Sequence, residues 1–388
     1  MKRIDLIYFD VTSGHRSSAL ALKAALDRQG EPVQVRTVNF TDIVAYQPAL
    51  YQLARIGIGV FNWGVRHERA YFARQQVGLF QVIQARIPPS MIQRIACFWQ
   101  DDQPDAVVSV MPICNLLLER ALHLIHPHCP YVVMPVDYEE TMHNYWFDLR
   151  MDAYYINPTP KLDQKAAALG IPLERRLEAS GMPIDPLFYA PAPPDKAAAL
   201  RELGLDPTVP TVLVGFGGQG SVLVKRCADE LSKVTTPLNV IFLCGRHKAL
   251  YAYLAALTTP YRKLVLSFLP EAPAHYYHLA DVIVGKPGSM TITEALVTRS
   301  ALLAVESQSL ALVQRGNEAW LRHSGVGAVI RVPELASAVE KILHSPTVND
   351  RLEREWHRAV FEIADTIVDV AYGRGLHAAE VSYENAAD

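Results

Sequence analysis

The chain has 388 residues, half of them hydrophobic and a fifth charged, with a formal net charge of -3. That length exceeds what one hydrophobic core usually serves, so two domains of about 150 to 200 residues each are expected. The near-neutral balance points to no nucleic-acid partner, and five cysteines, odd in number and never spaced as CxxC, argue against a disulfide framework or a zinc site and fit a reducing cytoplasm.

The first apolar run, residues 4–9, is cut off by Asp10 too soon for a signal peptide, and reads as a strand. The loop Val11-Thr12-Ser13-Gly14-His15-Arg16 follows, then a helix over residues 17–29. From Arg55 to Arg94 six arginines stand against one acid, Glu68, among Phe61, Trp63, Tyr71, Phe72 and Phe80. That stretch is either a helical subdomain with a solvated basic face or an aromatic-anchored surface for anionic lipid. No run reaches the ~18 apolar residues of a spanning helix, so membrane contact is expected to be peripheral. Strands over residues 106–111, 131–136 and 153–156 alternate with helices over 115–124 and 161–169, the pattern of a parallel sheet covered on both faces.

At Pro191-Ala192-Pro193-Pro194 the composition turns to a stiff spacer, which sets the expected domains at 1–190 and 195–388. Strands are expected over residues 211–215, 240–244, 264–267, 282–284 and 301–305, and helices over 334–379, which would cross back to the first domain. Each half then forms its own doubly wound sheet. Ligands of such sheets bind beyond the carboxyl ends of the strands, so two facing sheets make a cleft for two substrates.

Three strand-turn-helix elements carry the candidate chemistry. His15 sits where the first helix begins, placed either as a general base or as a hydrogen-bonded residue of a capping loop. Gly215-Phe216-Gly217-Gly218-Gln219-Gly220-Ser221 ends a strand in a glycine-rich turn suited to a diphosphate, although its spacing is not GxGxxG and Cys244-Gly245-Arg246 stands where an NAD site needs an acid. Gly285-Lys286-Pro287-Gly288-Ser289-Met290-Thr291 opens a third helix, in which Thr291 and Glu294 have capping-box spacing, a structural reading of Glu294. Asp101-Asp102 and Glu139-Glu140 lack a clear partner and read as solvated surface.

Five segments in order resemble glycosyltransferase family 28, above all its diacylglycerol glycosyltransferases (the monogalactosyl- and monoglucosyldiacylglycerol synthases), and more distantly the peptidoglycan lipid-linked N-acetylglucosaminyltransferase. They are Phe9-Asp10 through Ala19, Pro135-Val136-Asp137 with His143 and Trp146, Gly181-Met182-Pro183-Ile184-Asp185 with Phe188, Phe216 through Ser221, and Gly285 through Ala295. The resemblance implies an α/β chain of the GT-B fold, with two Rossmann-like doubly wound domains across a cleft. It implies inverting transfer of a hexose from a UDP-sugar to a lipid acceptor, without a metal or other cofactor, at the inner face of the cell membrane. By position, His15 is the implied base and Asp137 its support or the acceptor's. Gly218, Gln219, Gly220 and Ser221 lie by the diphosphate, and the Gly288, Ser289, Met290 and Thr291 turn belongs to the same donor site. Phe268 pairs with uracil through its backbone, Glu294 takes the ribose hydroxyls, and Gln314 and Asn317 contact the sugar. Phe61, Trp63, Arg66, Arg69 and Arg74 face acceptor and membrane. Thr12 and Ser13 stand where the family has glycines, a departure that bears on the acceptor. A UDP-sugar epimerase and a UDP-sugar-binding protein without turnover are the alternatives, and loss of turnover with retained UDP binding on removal of His15 separates them.

Overall fold

The computed structural model describes residues 1–10, 14–66, 87–139, 146–306, 311–345 and 358–374. The chain forms two compact units. The first runs to Asp185 and takes in the last described helix, Ala359–Tyr372; the second begins at Pro186.

In the first unit six parallel strands, β1 (Lys2–Tyr8), β2 (Val33–Asn39), β3 (Ala106–Ser109), β4 (Tyr131–Val133), β5 (Ala153–Asn157) and β6 (Arg176–Glu178), lie in the order β2-β1-β3-β4-β5-β6. Ile4 of β1 pairs with Val35 on one side and Ala106 on the other. The middle of β1 and all of β3 and β4 are buried, which is why these strands read as continuous apolar runs rather than alternating ones. Asp5 is buried in this sheet because Arg36 grips both its oxygens, at 2.8 and 2.6 Å, and the Trp99 indole donates to it at 3.1 Å. The same Arg36, with Arg3, holds Asp102, and Lys161 holds Glu139 at 2.9 Å. Two of the four carboxylates expected to be merely solvated are thus ion-paired; Asp101 is exposed, and Glu140 lies outside the described residues.

The first helix is Gly14–Leu26, beginning before the expected residue 17, so His15 stands in its first turn. It buries Ser18, Ala19, Leu22 and Ala25, and the Ala359–Tyr372 helix packs against it with Ile363 and Ile367 fully buried. That closing helix is anchored again where a Cβ on Gly181 would meet the Cβ of Ala359 at 3.5 Å and where the Ser180 amide donates to Glu362 at 3.2 Å.

The second unit has the strands β7 (Thr211–Gly215), β8 (Asn239–Leu243), β9 (Arg262–Leu266), β10 (Val282–Gly285), β11 (Ala301–Val305) and β12 (Gly327–Ile330), again parallel, in the order β12-β11-β10-β7-β8-β9. The proline run expected to join the domains lies inside this unit. The crossing comes earlier because Phe188 is already packed there, edge-on to the Tyr277 ring at 5.2 Å, while His278 donates to the Phe188 carbonyl at 3.2 Å.

Removing the side chain that joins the closing helix to the first unit tests this packing. Ile363→Ala deletes a fully buried branched side chain and is expected to cost about 2–4 kcal/mol in denaturant unfolding; a loss under ~0.5 kcal/mol would mean that the helix does not belong to that core.

Candidate functional site

Each sheet reverses its order of winding once, and there the two connections diverge and leave room at the carboxyl edge. In the first unit the reversal lies between β1 and β3. His15, on the helix after β1, meets the carbonyl of Val110, just past β3, with Nδ1 2.8 Å from the oxygen. A carbonyl oxygen only accepts, so Nδ1 carries the proton and Nε2 of the neutral ring is left as the basic nitrogen. The Trp146 ring centroid lies 6.2 Å from that of His15, and its indole donates to Asp137 Oδ2 at 3.4 Å. Trp146 is buried and Asp137 half-buried, just past β4. The adjoining helix Asn115–Ile125 begins behind Cys114, a left-handed residue at φ 68°, with Asn115 donating to Met111 O at 2.8 Å and accepting from Tyr131 at 3.1 Å. Thus β1, β3 and β4 deliver His15, Val110 and Asp137 to one edge. Thr12, Ser13 and His143 lie outside the described residues.

The helix Pro48–Arg66 is tied to the same edge, Asn62 donating to the Asp10 carbonyl just beyond β1 at 3.1 Å. Leu53, Ile56, Val60 and Trp63 are exposed along it by 38, 63, 50 and 51 %. Their spacing of three, four and three residues makes one stripe. Phe61 is half-buried, the side chain of Arg66 lies outside the described residues, and so do Arg69 and Arg74.

In the second unit the reversal lies between β7 and β10, and the two glycine turns follow those strands. Gly220, at φ +72°, would put a Cβ 2.4 Å from Cys244 O, and Gly245, at φ +54°, would put one 2.4 Å from Gly218 O. The Arg246 amide donates to Gly218 O at 2.9 Å. The turn at residues 217–220 therefore lies backbone against backbone on the turn after β8, at a separation only glycine permits. Ser221 Oγ accepts from the Leu223 amide at 3.2 Å, while Gln219 is exposed. Phe268, past β9 and 40 % exposed, lies by the same turn, 3.9 Å from where Gly218 would carry a Cβ, with the Arg246 guanidinium 3.6 Å over its ring.

Past β10, Gly285 would place a Cβ 2.9 Å from Gly215 O, so the two switch-point turns start in contact. Gly288 is the N-cap of the helix Ser289–Val297 and supplies no side-chain cap. Thr291 and Glu294 consequently lie inside that helix, and the capping-box reading of Glu294 is corrected: a capping threonine has to precede the helix. Ser289 and Met290 are buried, the Ser289 carbonyl accepting from Thr293 at 2.9 Å, and Thr291 is half-buried. The Tyr277 phenol faces the Glu294 carboxylate; burial first, and that carboxylate second, push its pKa well above the ordinary tyrosine value. Burial lowers the pKa of Lys286, and Glu294 offsets this in part.

Gln314 and Asn317 are buried on the helix Ala311–Ser324, which follows β11, the neighbour of β10. One oxygen of Gln314, and one of Glu318 a turn further on, has no hydrogen-bond partner among the described residues. Sequence reasoning gave no role to Val110, Tyr277 or Glu318, and quoted Gly245, Arg246 and Lys286 only as parts of turns. Only Gly245 and Lys286 carried a signal, each standing directly after a strand at a turn.

No family model matches the chain. It is 25 % identical over 349 residues to monogalactosyldiacylglycerol synthase 1 of Arabidopsis thaliana, covering 87 % of this chain and 64 % of that protein. With the processive diacylglycerol beta-glucosyltransferase of Staphylococcus saprophyticus it shares 24 % over 250 residues, 63 % of this chain and 61 % of that one. The chain spans just under two thirds of the length of these curated relatives. The resemblance read from the motifs therefore extends along most of the chain. Among solved structures, Acinetobacter baumannii MurG matches with a TM-score of 0.59 at 17 % identity, covering 95 % of this chain and 100 % of its own. A UDP complex of S. aureus MnaA matches with a TM-score of 0.61 at 10 % identity, covering 96 and 97 %. The fold is α/β of the GT-B type.

The backbone lock between the two turns makes a sharp expectation. Gly245→Ala combines a left-handed φ with a 2.4 Å collision against backbone, and should destabilise the protein by about 2 kcal/mol or more in thermal unfolding. An unchanged Tm would show that the turns are not in contact.

Proposed function

We propose that the chain is an inverting glycosyltransferase that moves a hexose from a UDP-sugar to the hydroxyl of a diacylglycerol-like lipid, with His15 as the base. The observation that carries this reading is the His15 contact with Val110 O, 2.8 Å across the reversal point of the first sheet. It fixes the tautomer that presents Nε2 for proton removal. In the step, Nε2 takes the acceptor's proton, the acceptor oxygen bonds to the anomeric carbon on the face opposite the nucleotide, and the bond from that carbon to the phosphate oxygen breaks with its electrons on UDP. The sugar's configuration inverts because attack and departure are on opposite faces. Asp137, tied to Trp146, supports the base or the acceptor.

Donor recognition follows the second unit. The glycine turns offer backbone amides to the diphosphate. Glu294, freed of a capping role, accepts from the ribose hydroxyls, and the residues around Phe268 meet the uracil. Among the described residues the Gln314 amide oxygen and one Glu318 carboxylate oxygen have no donor, and a hydroxyl-rich sugar would supply one. Diacylglycerol glycosyltransferases among the relatives support the lipid acceptor, and the neighbours solved with UDP and with UDP-GlcNAc support the donor. One of those neighbours favours a second reading, since it is a UDP-GlcNAc 2-epimerase from Neisseria meningitidis of the same fold.

The exposed Leu53, Ile56, Val60 and Trp63 stripe is where the protein meets the lipid surface. No described helix is long and apolar enough to cross a membrane, which fits peripheral contact.

Two experiments test these statements. UDP release is measured with UDP-glucose, UDP-galactose and UDP-N-acetylglucosamine, with and without diacylglycerol in anionic vesicles. Release that needs the lipid and falls by about 100-fold or more in His15→Ala, with UDP binding retained, is the expected result. Conversion of one UDP-sugar into another without acceptor would establish the epimerase, and binding without release the non-catalytic protein. In the second, Ile56→Glu with Trp63→Glu should abolish cosedimentation with those vesicles while leaving UDP binding intact; unchanged cosedimentation would move the membrane face elsewhere.

A further inference from the structure

The first step past β10 is a lysine that the glycine-turn account leaves without a task. Lys286 follows Gly285, whose absent Cβ lets the two switch-point turns touch, and its stem folds over the N-cap of the next helix: a Cβ on Gly288 would lie 3.4 Å from Lys286 Cε and 3.7 Å from its Cγ. The side chain is half-buried. Among the described residues its ammonium makes no hydrogen bond or ion pair. Glu294 acts on it only through space.

An ammonium brings three donors and a full charge, and one that is half-buried with no protein acceptor among the described residues is open to an anionic partner. The helix whose N-cap the stem crosses, Ser289–Val297, points its own partial positive charge and unmet amides in the same direction, with no acid in its first turn. The local field is therefore set for an anion, and the lone carboxylate nearby belongs to the helix interior. A tyrosine already faces that carboxylate.

We infer that Lys286 binds the diphosphate of the nucleotide donor and neutralises the charge that collects on it as the sugar leaves, so that the diphosphate is held by a charged side chain as well as by backbone amides. This rests on the nucleotide-sugar reading above and deepens it. Burial holds the Lys286 pKa below its usual value, and an anion beside it reverses that, so diphosphate binding takes up protons in alkaline solution where uridine binding does not.

The experiment compares uridine with UDP by titration calorimetry on the wild-type chain, Lys286→Met and Lys286→Arg. Wild type is expected to bind UDP more tightly than uridine. In Lys286→Met the UDP affinity should fall by about 10- to 100-fold with uridine affinity unchanged, and Lys286→Arg should restore part of the difference. Uridine serves as the folding control, because it uses the same ribose and base contacts without the diphosphate. Equal losses for both ligands would overturn the inference, placing Lys286 in support of Glu294 or of the fold. No loss for either would overturn it as well. Wild-type protein that binds neither ligand would sink the nucleotide-donor reading itself, a result distinct from both.

Discussion

A parallel strand must return its chain outside the sheet before the next begins, and the side on which it returns decides where a ligand fits. While successive crossovers wind the same way, each helix closes the groove left by the last. Where winding reverses, two connections diverge and the carboxyl edge stays open. The first sheet reverses between β1 and β3, the second between β7 and β10. The candidate residues of the first strand-turn-helix element and of the two glycine turns stand beside one of these two reversals. The hydrophobic runs that build the strands therefore also fix where the chemistry lies.

The two edges are polarised differently. At the first, an imidazole is held by a backbone carbonyl, which fixes its tautomer, and lies near an indole that is itself tied to a carboxylate. At the second, glycine turns, a helix N-terminus and Lys286 all present positive ends, with Glu294 as the counterweight. Positive ends fixed by the backbone need no reorganisation when charge develops on a leaving group, which is where preorganised dipoles act most strongly. Mutual contact of the glycines at 218, 220 and 245 keeps those amides in place.

Much of this was legible in the sequence, and for physical reasons. Continuous apolar runs at 211–215 and 301–305 correspond to strands with those same ends, since fully buried parallel strands leave no other pattern. Helix starts were less legible: Gly14–Leu26 begins three residues before the expected start at 17, and Gly288 rather than Thr291 caps the later helix. A cap is decided by which residue turns away from helical φ and ψ, and composition cannot show that. The junction was misplaced for a similar reason. Proline-rich composition marks stiffness, whereas the crossing is set by whether Phe188 finds its pocket against Tyr277. Val110 and Tyr277 were invisible because their roles depend on which strand lies beside which, and strand order is not written in local pattern.

Fold likeness alone does not choose between transferase and epimerase, since neighbours of both kinds share this architecture. The choice turns on where proton-handling groups stand. An epimerase has to remove and return protons around one sugar, which calls for several acids and bases gathered at the donor's own binding edge. A transferase needs one base, directed at a second substrate. In this chain His15, its tautomer fixed by the Val110 carbonyl at the winding reversal, belongs to the first unit, whereas the glycine turns, Glu294 and Lys286 belong to the second. Under the proposed function, proton removal and nucleotide recognition are divided between the two sheets. That division suits the joining of two molecules better than the rearrangement of one.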